Sequence, residues 1–131
     1  MKLDGIYEGL HDGLRRRILC LLRNGELCVC HFQEILGASQ VQISKHLAYL
    51  RARALVEVRR EANWMIYRLP DQLAPELAAH LACLEECVRG DPIFRRDLLQ
   101  GRRLRGRKAR SGPQCCTPPI SKPASTQLAR P

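Results

Sequence analysis

Seven cysteines occur among the 131 residues, and their spacing leaves Cys20 alone and sorts the rest into the pairs Cys28/Cys30, Cys83/Cys87 and Cys115/Cys116. Paired thiols hold soft metals or metalloids, or cycle through oxidised forms. The number is odd and Met1-Lys2-Leu3-Asp4 lacks the apolar core of a signal peptide, so a disulfide framework is not expected. Cys28 and Cys30 stand where a short helix over 29–36 opens. Side chains at i and i+2 diverge on a helix but share one side of an extended chain. The pair therefore grips one ion only if the helix start is not helical, or is pulled open. Binding would then distort that helix, and the helix N-terminus favours the thiolate that binds. Cys83 and Cys87 lie one turn apart on a later helix with His80 a turn before, which suits either soft-metal ligation or interface packing. Cys115 and Cys116, adjacent in a basic tail, can oxidise or donate a sulfur to a distant site. Cys20 reads as a small buried hydrophobe. No paired base, Gly-rich phosphate loop or Cys-x-x-Cys accompanies these thiols, so catalysis is not expected.

The elements around the thiols point to nucleic acid. A short helix over 3–10 precedes Asp12, which caps a helix from Gly13 to about Arg23 with Leu14, Ile18, Leu21 and Leu22 inward. Arg15, Arg16 and Arg17 occupy its remaining face. After the 29–36 helix and Gly37, Ser39 and Gln42 form a capping box, and Ile43, Leu47, Leu50 and Ala54 make a helical stripe. Gln40, Gln42, Ser44, Lys45 and His46 fall off that stripe in the first two turns. This is a helix-turn-helix whose second helix carries amides for adenine and a cation for guanine or phosphate. Leu55–Arg59 and Trp64–Arg68 then alternate as a hairpin, with Asn63 suited to a left-handed turn position. Such a hairpin after a reading helix is a wing, and Arg59 and Arg60 are its candidate phosphate contacts.

A long helix over about 71–90 carries the stripe Leu73, Leu77, Leu81, Leu84 and Val88, for which a second copy is the expected cover. The fold class is mainly α with a small β-hairpin, a winged helix-turn-helix dimeric through terminal helices. Residues 1–92 form that domain, and 93–131 a short helix followed by a disordered basic tail. Charge is segregated accordingly. Residues 1–92 hold 12 basic and 12 acidic side chains, but 15–68 hold 10 against 4, and 93–131 hold 10 against Asp97 alone. A basic middle and tail favour a polyanionic partner through counterion release. No apolar run approaches the roughly 20 residues that span a bilayer, so a cytoplasmic protein with no membrane partner is expected.

Leu10 to Leu69 resembles the ArsR/SmtB family of bacterial metal-responsive repressors, its arsenical-resistance branch in particular. The matching pieces are Asp12-x-x-Arg15-x-Arg17-Ile18-Leu19, Glu26-Leu27-Cys28-Val29-Cys30, Ser39-Gln40-x-x-Ile43-Ser44-Lys45-His46-Leu47-x-x-Leu50-Arg51 and Arg59-Arg60-Glu61-x-x-Trp64-x-x-Tyr67-Arg68-Leu69. The resemblance implies a homodimer that binds double-stranded operator DNA without a cofactor. It implies release when trivalent arsenic or antimony binds Cys28 and Cys30. Gln33 stands where many arsenic-sensing members have a third cysteine, so the third sulfur is expected from elsewhere in the chain, with Cys115 and Cys116 as the candidates, or from a small molecule. A soft divalent metal, an organoarsenical or thiol oxidation are alternative inputs to the same scaffold, and metalloid sequestration is the alternative from another class.

Overall fold

The computed structural model describes residues 3–111, with side chains to residue 106. Six helices and three short strands follow in the order α1 (Leu3–Leu10), α2 (Gly13–Leu22), β1 (Leu27–Cys28), α3 (Val29–Leu36), α4 (Gln40–Ala52), β2 (Glu57–Glu61), β3 (Trp64–Arg68), α5 (Pro75–Val88) and α6 (Pro92–Ser111). The expected boundaries of the first four helices hold to within a residue or two. Strand β1 was not expected. It pairs antiparallel with β3, Leu27 opposite Tyr67 and Cys28 opposite Ile66, giving the sheet order β1-β3-β2.

α2 lies at the centre. Asp12 accepts hydrogen bonds from the backbone N–H of Leu14 (2.8 Å) and Arg15 (3.2 Å), satisfying donors that the first helical turn leaves open. Its buried Ile18, Leu19, Leu21 and Leu22 meet Phe32 of α3, Ile43 and Leu47 of α4, and Leu77 and Leu81 of α5 in one apolar cluster. α3 ends on Gly37 at φ 68, the left-handed position that costs glycine nothing, and the Gly37 N–H returns to the Gln33 carbonyl at 2.9 Å. Ser39 and Gln42 make the expected capping box: Ser39 Oγ accepts from Gln42 N–H at 3.2 Å, and Gln42 Oε1 accepts from Ser39 N–H at 3.1 Å. α3, a tight turn and the capped α4, followed by the β2–β3 hairpin, form a winged helix-turn-helix.

Two expectations need correction here. In the wing, the left-handed residue is Ala62, at φ 57, and not Asn63. Beyond residue 92 the chain does not stop at a short helix. α6 runs 20 residues, to Ser111. Its inward positions include Asp97, Gly101 and Leu104, spaced four and three apart, which bury one face without an apolar stripe to announce it. Asp97 is buried because Arg17 of α2 donates to both its oxygens at 2.7 and 2.9 Å. Leu21 Cδ2 would lie 3.0 Å from a Cβ on Gly101, so the two helices meet closely there. Arg105 reaches back to donate to the carbonyls of Leu21 (2.6 Å) and Gly25 (3.1 Å), closing the C-terminus of α2. Cys115, Cys116 and the expected tail beyond residue 111 lie outside the described residues.

The cap of α2 gives a pH-dependent test. Burial pushes the Asp12 carboxyl up, but the N–H groups of Arg15 and Leu14 and the charges of His46 and Arg15 outweigh it, so its pKa falls below the ordinary value. A depressed folded pKa contributes stability that is present above the unfolded value of about 3.9 and lost as pH falls through the folded one. Asp12→Ala should lower stability by about 1 kcal/mol at neutral pH, measured by urea denaturation. The gap to wild type should narrow as pH is taken below about 4.

Candidate functional site

Cys28 belongs to two elements at once. It pairs with Ile66 as the end of β1 and serves as the N-cap of α3, with φ −97 and ψ 170. Its backbone is therefore extended, whereas Cys30 already sits in the first helical turn. That change of conformation turns both sulfurs to one side, 3.6 Å apart. An ion bonded to two sulfurs at ~2.3 Å in tetrahedral geometry separates them by ~3.8 Å. The separation of the two sulfurs is close to that value. The start of α3 is thus not helical at Cys28, which is the first of the two conditions anticipated for bringing the sulfurs to one side.

His31 lies beside the two sulfurs. His31 is 1% exposed, and a ring nitrogen and the two sulfurs all lie within 4.8 Å of one another. Sequence reasoning treated the site as an i, i+2 pair and missed it. The available signal was the run Cys-x-Cys-His at a helix start, where an extended first residue brings i, i+2 and i+3 together. Trp64 and Ile66 of β3 pack against Cys28, with Cys30 at the edge of the same group. The thiol site is thus shared between the first helix of the reading pair and the wing. Gln33 is half-buried one turn further along α3.

The remaining described cysteines differ from this pair. Burial in α2 pushes the Cys20 thiol up to about 11, consistent with a packing role. Cys83 and Cys87 are exposed on α5, and the Cys87 pKa is raised first by a hydrogen bond to Cys83 and then by its charge. His80 does not join them, since its ring meets the Tyr7 hydroxyl at 3.1 Å and the Glu76 carbonyl at 2.7 Å.

The residues expected to face DNA divide into two groups. On α4, Lys45 and Gln42 are exposed, and Gln40 and Ser44 are half-exposed. Val41, 62% exposed, shares this surface and was not anticipated; its side chain is of the kind that meets a thymine methyl. His46 faces elsewhere: its Nδ1 lies 3.3 Å from Arg15 and its Nε2 4.0 Å from Asp12, so it joins α4 to the start of α2. In the wing, Arg59 is held by Glu26 at 2.5 and 2.7 Å and by Glu61 at 2.9 Å. These carboxylates, Glu26 first, raise its pKa and occupy the guanidinium that was expected to meet phosphate. Arg60 stays exposed beside the turn, its Nε donating to the Ala62 carbonyl at 3.3 Å.

The stripe for which a second copy was the expected cover is largely buried inside the chain. Leu77 and Leu81 are fully buried against the core, Leu84 and Val88 are half-buried, and Leu73 precedes α5 instead of lying on it. The apolar side chains left exposed on the terminal helices are Leu3 and Tyr7 of α1 and Ile93 and Leu99 of α6. Among the described residues no helix is long and apolar enough to cross a membrane.

Fold and site together define a winged helix-turn-helix domain with two cysteines and a histidine gathered where its sheet meets α3. The family model described as "Bacterial regulatory protein, arsR family" matches residues 12–58. The arsenical resistance operon repressor of Staphylococcus aureus is 34% identical over 80 residues, covering 61% of this chain and 77% of that protein. The chain belongs to the arsR family. The arsenic resistance transcriptional regulator ArsR2 of Pseudomonas putida is 41% identical over 69 residues, covering 52% of this chain and 60% of that one. Among solved structures, HlyU from Vibrio cholerae superposes with a TM-score of 0.58 at 30% identity, covering 66% of this chain and 97% of that chain. The chain spans 51–65% of the length of the Pseudomonas putida and Escherichia coli arsenic-resistance regulators it matches.

The burial differences predict an order of thiol reactivity. With iodoacetamide at neutral pH, Cys83 should alkylate early, while Cys20 should stay unmodified until the protein is unfolded in urea. Peptide mass spectrometry at timed intervals reads both.

Proposed function

We propose that this protein is a transcriptional repressor of arsenic-resistance genes that leaves its operator when trivalent arsenic or antimony bonds to Cys28 and Cys30. The observation that carries the reading is the 3.6 Å sulfur pair placed at the joint between α3 and the wing strand β3. The names of its relatives as arsenic-resistance regulators support it. With both cysteines reduced, arsenous acid would exchange hydroxide for thiolate at each. Two As–O bonds break, two As–S bonds form, each thiol proton leaves with a hydroxide as water, and arsenic stays trivalent.

Two couplings to DNA follow from the packing. The bound atom must fit beside Trp64 and Ile66, whose strand is the inner edge of the wing. Glu26, two residues before Cys28, holds Arg59 on the neighbouring strand β2. A shift of the 26–30 segment therefore changes both where the wing lies and which charges it presents. The exposed face of α4, with Val41, Gln42 and Lys45 beside Gln40 and Ser44, would enter the major groove, and Arg60 would meet the backbone. A second copy joined through α1 and α6 would supply the other half of a two-fold operator.

Arsenite added to the protein on its own promoter fragment should lower fluorescence anisotropy to that of free DNA. Cys28→Ser and Cys30→Ser should each bind the fragment but resist release; release equal to wild type would refute the site. For the DNA surface, Lys45→Ala and Arg60→Ala should each flatten the slope of log affinity against log salt by about 0.9, one phosphate contact apiece. Arg59→Ala should leave that slope nearly unchanged, because its charge is already matched by Glu26 and Glu61.

A further inference from the structure

We infer that Arg15 is a positioning residue for DNA reading: its guanidinium ties the end of α1 to α4, and so sets how far apart the two reading helices of a dimer stand. The inference rests on the reading of the protein as a dimeric DNA-binding repressor, and adds the element that fixes its half-site spacing.

Arg15 is 9% exposed and carries its charge among three helices. Its Nε and Nη2 donate to the carbonyls of Gly9 (3.1 Å) and Glu8 (2.9 Å), which the end of α1 leaves open. Nη1 lies 3.3 Å from Nδ1 of His46, and the guanidinium lies 4.0 Å over the ring of Tyr49, both on α4. With Arg15 donating, Nδ1 is the acceptor, which puts the ring proton on Nε2, the nitrogen 4.0 Å from Asp12. These partners are a helix end and two side chains of a neighbouring helix, so satisfying the buried cation holds both helices in one orientation.

A second guanidinium repeats the link. Arg53, at the end of α4, donates to Glu8 of α1 at 2.8 Å and lies 3.4 Å over the same Tyr49 ring. The seat is tight, since a Cβ on Gly9 would clash with Leu55 just beyond α4. Gln42 and Lys45 are exposed on the turns of α4 that carry His46 and Tyr49, so the link that seats the one pair aims the other. Leu3 and Tyr7 leave an apolar face of α1 exposed for a second copy. Joined there, the two reading helices are spaced through Arg15, α1 and the same link repeated in the partner.

The test is fluorescence anisotropy with the full-length protein on its own promoter fragment, and on that fragment with one base pair inserted between the half-sites. The insertion turns one half-site against the other by about a tenth of a helical turn. Wild type should prefer the native spacing. Arg15→Lys keeps the charge but loses the planar fork, so it cannot serve carbonyls, imidazole and ring together. It should bind the native fragment about tenfold more weakly, because losing a hydrogen bond to a charged group depopulates the competent orientation. On the inserted fragment it should lose little, so the ratio of the two affinities falls toward one. A merely stabilising role would weaken both fragments alike and leave the ratio as it was. Its salt slope should equal that of wild type, since a buried guanidinium meets no phosphate. His46→Ala should lower the ratio too, and His46→Asn, whose side-chain oxygen can stand in for Nδ1, should restore it. The His46 side chain is 22% exposed, so this pair reads the link even if Arg15→Lys does not fold. A wild-type ratio in His46→Ala overturns the inference, and so does one in folded Arg15→Lys. Failure of the dimeric reading has a different signature: wild type that binds both fragments equally.

Discussion

The extended backbone at Cys28 is the constraint on which the rest of the site depends. Its pairing with Ile66 holds the residue in a strand, and the next residue begins a helix. Were Cys28 helical, its side chain would diverge from that of Cys30 and the sulfurs could not share an atom. Strand pairing thus fixes the positions of the two sulfurs, as rigid scaffolding does for any constellation of side chains. The same pairing joins the ligand site to the wing. A perturbation at the sulfurs reaches β3 directly, through Trp64 and Ile66, without first passing through α4.

The arginines show how little a count of charges says about their use. Arg15 donates to the carbonyls of Gly9 and Glu8 at the end of α1 and lies over the Tyr49 ring. Arg16 donates to the Leu10 carbonyl, and Arg17 grips Asp97. Arg53 pairs with Glu8 and stacks on the other contact to Tyr49. Guanidinium groups suit these positions because each serves several acceptors at once, which an ammonium group cannot match geometrically. Much of the basic excess over 15–68 therefore joins helices to one another. Lys45, Arg51 and Arg60 are the cations in that stretch that remain exposed without a carboxylate or helix-end partner described for them.

The sequence was most informative where local rules act alone. Capping at Asp12 and Ser39 and the glycine stop at Gly37 depend on residues a few positions apart, and all appear in the structure; the hairpin forms too, but its first strand is Glu57–Glu61, two residues later than Leu55–Arg59, and its exposure does not alternate. What escaped depends on distant partners. β1 is too short to show a pattern and exists because β3 is there to receive it. α6 hides its buried face behind an acid and a glycine whose partners, Arg17 and Leu21, lie some 80 residues earlier. The leucines of α5 were legible as a stripe, but a stripe does not say whether its cover is the same chain or another. His31 was visible as a residue but its place beside the two sulfurs was not, because that place follows from the conformation of Cys28.

Arg105 carries a consequence for the order in which the molecule is made. It closes the end of α2 and the Gly25–Glu26 approach to the thiols from 84 residues away along the chain. During synthesis from the N-terminus, the reading head, the wing and α5 all exist before this side chain does. The reading head can therefore assemble while the carbonyls of Leu21 and Gly25 still face water, and it gains its last clamp only when α6 docks. The 25–28 segment is tightened late, after α4 and the wing beside it have been built.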